Sequence, residues 1–225
     1  MTAPSPDARP LGLLGGTFDP IHFAHLRLAE EARESLGLAE VALIPAGTPP
    51  HREAPGSSAE HRLAMVELAV AGNALLRCED LEVRAAGRSY TVLTLEQLRQ
   101  REGPGRPLVL ILGADAFAGL PRWHRCDELL GLAHIAVANR PGHDRQWLQA
   151  MPSQLAHLCG DRVTHEPAAL RASPAGAIVP FDMTPLSISA THIRNLVAHG
   201  RSARYLLPDS VVDYIGRHCL YRGTR

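Results

Sequence analysis

The sequence predicts an α/β fold built on a doubly wound parallel sheet. Two observations carry that expectation. Short apolar runs alternate with stretches of helical periodicity along the chain, and polar residues suited to chemistry (His22, His51, Arg52, Asp115) follow directly on the ends of those runs. In a sheet of this kind, ligands bind beyond the carboxyl ends of the strands, near the point where the strand order reverses.

The elements follow in order. Leu11-Gly12-Leu13-Leu14 is a short apolar run suited to a buried parallel strand, and Gly15-Gly16 let the backbone turn tightly and approach a ligand. Ala24, Leu28, Ala29 and Ala32 recur at helical spacing, so a helix is expected from His22 to Ala24 onward, entered through Pro20 and stopped by Gly37. Val41 to Pro45 reads as a second strand, followed by a turn-rich loop from Ala46 to Gly56 that contains Pro49-Pro50-His51-Arg52. Ser57-Ser58-Ala59-Glu60 matches a capping box for a helix that ends near Gly72. Leu75 to Arg84 is expected as strand and Thr91 to Arg101 as helix. Pro107 to Leu112 is the strongest buried strand and runs into Gly113-Ala114-Asp115. His134 to Ala138 is a further strand, followed by Asn139-Arg140-Pro141-Gly142. The stretch from Gly142 to Ala175, broken by Pro152, Pro167 and Pro174, is expected as an irregular insertion with short helices. Ala177 to Phe181 resembles a last strand, and a helix introduced by Ser189 and stopped by Gly200 opens a helical C-terminal part.

Composition narrows the options. At 225 residues the chain can bury a sizeable core, so residues 1–10 are expected as a disordered tail and 11–225 as one domain. No apolar stretch approaches the roughly 18 to 20 residues of a membrane span, and no membrane partner is expected. Residues Met1 to Pro10 lack the basic start and apolar centre of a signal peptide, and the four cysteines are scattered, which together suggest a reducing, cytoplasmic setting. The same scatter, without a Cys-x-x-Cys pair, argues against structural zinc. With 23 basic and 23 acidic residues the net charge is zero, so no nucleic-acid partner is expected; a homo-oligomer is left open. Every basic residue is arginine, which excludes a lysine Schiff base and the lysine of a Walker loop.

The segment Gly15-Gly16-Thr17-Phe18-Asp19-Pro20-Ile21-His22-Phe23-Ala24-His25 places two histidines at i and i+3 where a strand turns into a helix. That spacing alone also suits surface, core or metal-binding histidines. The glycine turn favours phosphate, because a helix start offers unpaired N–H groups and a partial positive charge. Ile188-Ser189-Ala190-Thr191-His192-Ile193-Arg194 reads in two ways: an ordinary cap with a solvated arginine, or a second anion-binding helix start.

Together these two segments resemble the nucleotidyltransferase superfamily, and more narrowly the bacterial nicotinate-nucleotide adenylyltransferases. The similarity runs from Leu11 to Leu206-Leu207-Pro208 and Leu220-Tyr221-Arg222, and includes Pro50-His51-Arg52, Ser89-Tyr90-Thr91, Gly113-Ala114-Asp115, Trp123 and Arg140-Pro141-Gly142. Ala24 stands where the family pattern usually has glycine between the histidines, and Ala190 replaces the second serine of the common Ile-Ser-Ser-Thr. The resemblance implies a Rossmann-like nucleotidyltransferase fold and transfer of AMP from ATP to nicotinate mononucleotide, yielding nicotinate adenine dinucleotide and pyrophosphate in NAD biosynthesis. It implies that Gly15, Gly16, Thr17, Phe18, His22, His25, Gly113, Ser189, Thr191 and Arg194 bind ATP, with His22, His25 and Arg194 catalytic. It further implies that His51, Arg52, Tyr90, Thr91, Asp115, Trp123 and Arg140 serve the mononucleotide. Mg²⁺ would be held by ATP phosphates and water, with no ligand from the protein.

Three rivals stand beside this. A sister enzyme, such as phosphopantetheine adenylyltransferase or a cytidylyltransferase, would share the two terminal motifs but not Ser89-Tyr90-Thr91 with Trp123. A dinucleotide-binding dehydrogenase needs Gly-x-Gly-x-x-Gly, which Gly12-x-x-Gly15-Gly16 does not form. A non-catalytic nucleotide sensor differs only in turnover.

Overall fold

The computed structural model describes residues 9–48, 55–139 and 151–223. Six parallel strands form one sheet in the order β3-β2-β1-β4-β5-β6: β1 (Leu11–Gly16), β2 (Glu40–Pro45), β3 (Leu76–Cys78), β4 (Leu108–Gly113), β5 (His134–Asn139) and β6 (Ile178–Asp182). The order reverses between β1 and β4, which pair through Leu11↔Leu108 to Leu13↔Leu110. That is the doubly wound arrangement, with its ligand crevice expected beyond Gly16 and Gly113.

Both faces of the sheet are covered, which is why its strands read as unbroken apolar runs. On one face α1 (Phe23–Leu36), α2 (Ala59–Val70), α9 (Ala190–Ala198) and α10 (Asp209–Arg217) bury Leu14, Val41, Leu43, Val109 and Ile111. On the other, α4 (Thr91–Glu102), α5 (Ala114–Ala118), α6 (Leu129–Leu132) and α7 (Ser153–Cys159) pack against Leu11, Leu13, Leu108, Leu110, Ile135 and Val137. Alternate β1 residues thus serve opposite cores, as the strand period requires. Helix α1 stops where Gly37 turns left-handed at φ 63°, a conformation that carries no Cβ penalty for glycine. Pro10, which the sequence places in the N-terminal tail, is buried, and its carbonyl accepts from Ala39 N at 2.8 Å.

Three local expectations are corrected. Leu75–Arg84 is not a continuous strand: only Leu76–Cys78 pairs, at the sheet edge, and Leu81–Arg84 forms the short helix α3. The N-cap of α2 is Ser58, whose hydroxyl accepts from His61 N at 3.3 Å, because the Ser57 hydroxyl is bonded to Asp19 instead. The glycine pair ends β1 rather than leaving it, so the turn proper is Thr17–Pro20. Between Met151 and Ala175 the expected short helices are α7 and α8 (Ala169–Ala172).

The entry ends of the strands are tied by one side chain. Arg99, near the end of α4, donates through Nη1 to the carbonyls of Gly103 (3.1 Å) and Arg106 (2.5 Å), and through Nη2 to Leu132 (2.6 Å) and Pro174 (3.0 Å). These carbonyls lie just before β4, β5 and β6. Arg99→Met keeps the stem and removes the donors, so it is expected to lower unfolding free energy by roughly 2–4 kcal/mol. Urea unfolding with an unchanged midpoint would contradict this.

Candidate active site

The site begins with Arg62. This α2 arginine is 1% exposed, and among the described residues it spends its hydrogen bonds on main-chain carbonyls. Its Nη1 donates to Thr17 O (2.8 Å) and Ala46 O (2.5 Å), and its Nη2 to Gly47 O (2.8 Å). The turn after β1 and the loop after β2 are therefore held by a single guanidinium, whose planar fork suits several carbonyls at once. The turn itself is tight: Phe18 adopts φ 50°, and a Cβ on Gly16 would lie 2.9 Å from the Phe18 ring. Glycine is required there by close approach.

Beyond the turn, His22 is the N-cap residue of α1. Its ring stacks on that of His25, with centroids 3.7 Å apart and planes 21° from parallel, and Phe18 meets His25 edge-on at 5.0 Å. The His22 backbone N–H donates to His25 Nδ1 at 3.3 Å. His22 is 4% exposed, and burial depresses its pKa to about 4. Its Nδ1 is buried without a hydrogen-bond partner. A neutral imidazole at a helix start is a hydrogen-bonding group for an anion; the positive charge must come from elsewhere.

Arg194 supplies that charge. Its Nη1 donates to Asp19 O at 2.7 Å, and its Nη2 donates to Thr191 Oγ1 at 3.3 Å. Ser189 caps α9 by accepting from His192 N at 3.2 Å, and both Ser189 and Thr191 are exposed. The α1 and α9 starts are thus brought together through Asp19. Buried Glu31 reinforces this from α1, accepting from the Thr184 N–H and hydroxyl at 2.6 Å each, on the segment that leads into α9.

A cleft of about 540 Å³ opens on the other side of the β1–β4 junction. Gly15, Gly16, Thr17, Tyr90, Thr91, Asp115 and Trp123 all line it. Tyr90 packs on His124 at 4.5 Å between centroids, and Trp123 is half-buried. The Tyr90 side chain makes no cap hydrogen bond at the start of α4, where Leu93 N and Thr94 N both donate to the Tyr90 carbonyl. Glu82 also lines the cleft; burial pushes its carboxyl up, and it accepts from Thr94 Oγ1 at 2.7 Å. Gly47 N donates to Ser89 Oγ at 2.9 Å, joining the β2 loop to the Tyr90 segment.

The structure therefore gathers the expected residues into two adjoining groups. Gly15, Gly16, Thr17, Tyr90, Thr91, Asp115 and Trp123 share the cleft, whereas Phe18, His22, His25, Thr191 and Arg194 surround the Phe18–Pro20 side of the turn. Gly113 ends β4, and a Cβ there would meet nothing within 4 Å. His51, Arg52 and Arg140 lie outside the described residues. Sequence reasoning assigned no role to Arg62, Asp19 or Glu82, and read Ser57 only as the start of a capping box. Asp19 and Ser57 lay inside quoted motifs, but nothing local indicates that they bond to each other.

A family model described as cytidylyltransferase-like matches residues 13–196. A curated relative from Dechloromonas aromatica, named "Probable nicotinate-nucleotide adenylyltransferase", is 55% identical over 217 residues, covering 96% of this chain and 100% of its own. The chain belongs to the nicotinate-nucleotide adenylyltransferase family. A Pseudomonas fluorescens relative of the same printed name is 49% identical, over 94% of this chain and 97% of its own. The solved nicotinic acid mononucleotide adenylyltransferase of Plasmodium falciparum, complexed with NaAD, superposes with a TM-score of 0.68 at 17% identity, covering 95% and 97% of the two chains. At that identity the likeness speaks for the fold. Against the family pattern, Ala24 and Ala190 fall in the first turns of α1 and α9, where alanine is compatible with helix.

Burial of His22 sets a pH dependence. With its pKa at about 4 when folded and 6.5 when unfolded, the unfolded chain holds the extra proton between those values, so stability falls as pH drops through that window. The size is about 3 kcal/mol at 1.4 kcal/mol per unit. Burial lowers His134 as well and acts in the same direction. Urea midpoints of wild type and His22→Asn should converge as pH falls from 6.5 to 4; parallel curves would refute this.

Proposed function

We propose that the chain transfers AMP from ATP to the 5′-phosphate of nicotinate mononucleotide, forming nicotinate adenine dinucleotide and releasing pyrophosphate, as a step of NAD biosynthesis. The observation that carries this reading is the near-full-length likeness to relatives that bear this activity in their names. The attacking group is the phosphate of the substrate itself, so no residue has to form a covalent intermediate. Catalysis then consists of positioning and charge stabilisation.

In this reading the ATP phosphates lie across the two helix starts. His22 and His25 donate to oxygens where charge grows on the departing pyrophosphate, and Arg194, Ser189 and Thr191 grip the same triphosphate. Gly15, Gly16, Thr17 and Phe18 pass the backbone close beneath it, and Gly113 leaves room at the end of β4. The mononucleotide fills the cleft: Trp123 stacks on the nicotinate ring, Thr91 and the α4 start receive its carboxylate, Tyr90 flanks it, and Asp115 bonds ribose hydroxyls. His51, Arg52 and Arg140 are assigned to the mononucleotide from the family resemblance.

The donor set suits a cation that arrives with its nucleotide. Among the described residues no three His, Cys, Asp or Glu side chains share a candidate metal site, and the Asp19 carboxylate is already bonded to protein donors. Mg²⁺ held by phosphates and water supplies charge neutralisation when bound. Among the described residues no helix is long and apolar enough to cross a membrane, and we assign the reaction to the cytoplasm.

A pyrophosphate-release assay with ATP and Mg²⁺ tests the reading, with nicotinate mononucleotide, nicotinamide mononucleotide and phosphopantetheine as acceptors. Turnover is expected with the mononucleotides, nicotinate foremost; release with phosphopantetheine alone would overturn it. His25→Ala should lower kcat by ~10²-fold or more, as for loss of an oxyanion donor. Trp123→Ala should raise KM for the mononucleotide while leaving that for ATP unchanged, and the opposite pattern would refute its stacking role.

A further inference from the structure

Asp19 sits inside the phosphate turn, 5% exposed, yet its carboxylate faces the protein. Oδ1 accepts from the hydroxyls of Tyr221 and Ser57, each at 2.6 Å, and Oδ2 accepts from Gly56 N at 2.6 Å. The Ser57 and Tyr221 hydroxyls are themselves 3.0 Å apart, so the three side chains close a triangle. Arg194 lies beside the same carboxylate and forms an ion pair with it. Its Nη1 lies 3.7 Å from Oδ2 but 2.7 Å from the Asp19 main-chain carbonyl.

A carboxylate so close to a phosphate-binding arginine is a competitor for it, since a guanidinium pairs readily with either anion. Here the competition is blunted. Protein donors occupy both carboxylate oxygens, and the guanidinium settles on the neutral carbonyl. Cys219 and Tyr221 adopt φ 53° and 60°, left-handed values that non-glycine residues rarely take. Strain of that kind persists where the surroundings over-determine it, and it concentrates around functional sites.

We propose that Tyr221 is a positioning residue for ATP: together with Ser57 at Oδ1 and Gly56 N at Oδ2 it holds the Asp19 carboxylate no closer than 3.7 Å to Arg194, so that the guanidinium can turn to the triphosphate. The inference rests on the assignment of Arg194 to ATP given above. Burial, followed by the bond to Asp19, raises the Tyr221 pKa, so the phenol stays a donor throughout the neutral range.

The test uses the full chain with Tyr221→Phe and Tyr221→Leu. Steady-state kinetics and calorimetric binding of a non-hydrolysable ATP analogue are measured beside thermal melting. Tyr221→Phe keeps the ring and should restore the melting temperature that Tyr221→Leu loses. It should still raise both KM for ATP and Kd for the analogue about fivefold, the effect of one ordinary hydrogen bond, with KM for nicotinate mononucleotide unchanged. If Phe restores ATP affinity along with stability, or if both KM values rise together, Tyr221 is only a packing residue and the proposal fails. Ser57→Ala removes the other Oδ1 donor and should raise KM for ATP selectively; an unchanged value would also overturn it. Weaker analogue binding in Tyr221→Phe, in an enzyme that releases no pyrophosphate with nicotinate mononucleotide, would support this inference while refuting the proposed reaction.

Discussion

The geometry of the site depends on a buried guanidinium that, among the described residues, hydrogen-bonds main-chain oxygens rather than a carboxylate. Arg62 spends its fork on carbonyls of two loops that belong to adjacent strands, while Asp19 and Glu82 act on it only through their field. Burial of a charge is costly unless several dipoles solvate it, and here main-chain oxygens do so. These bonds tie the turn after β1 to the loop after β2. From Gly47 the same chain of contacts continues to Ser89, which also lines the cleft.

Charge and hydrogen bonding are divided between different residues. Burial keeps His22 neutral, so it contributes directional donors near a helix start, whereas Arg194 contributes fixed positive charge from the second helix. In the proposed reaction, a cation at both places would hold the triphosphate tightly before the chemical step as well as during it, and uniform binding of that kind does not accelerate the step. A neutral donor aimed at the proposed leaving group would act more selectively.

Much of the fold was legible because a parallel sheet buried on both faces leaves continuous apolar runs, as at Leu108–Leu112 and His134–Ala138. Leu75–Arg84 misled because Leu81 and Val83 mimic strand alternation, while only three residues reach the sheet edge. The α2 cap shifted by one residue because Asp19, distant in sequence, claims the Ser57 hydroxyl. Local rules hold no information about such a competitor. The motif residues were legible from their glycine turn and helix starts, and the structure brings those within the described residues to the switch point. Arg62 was not legible, because Glu60-His61-Arg62 reads as a polar helix face and the inward turn of one arginine follows from loops it does not adjoin.

The bond between Asp19 and Tyr221 joins residues 202 positions apart. During synthesis the strands, the cleft and the histidine pair all emerge before the residue that completes the turn's last contact. A chain truncated before Tyr221 would keep both helix starts and every cleft residue named here, yet leave Asp19 short of a donor beside the Arg194 guanidinium. One phenol hydroxyl thus ties the turn after the first strand to the segment that follows the last helix.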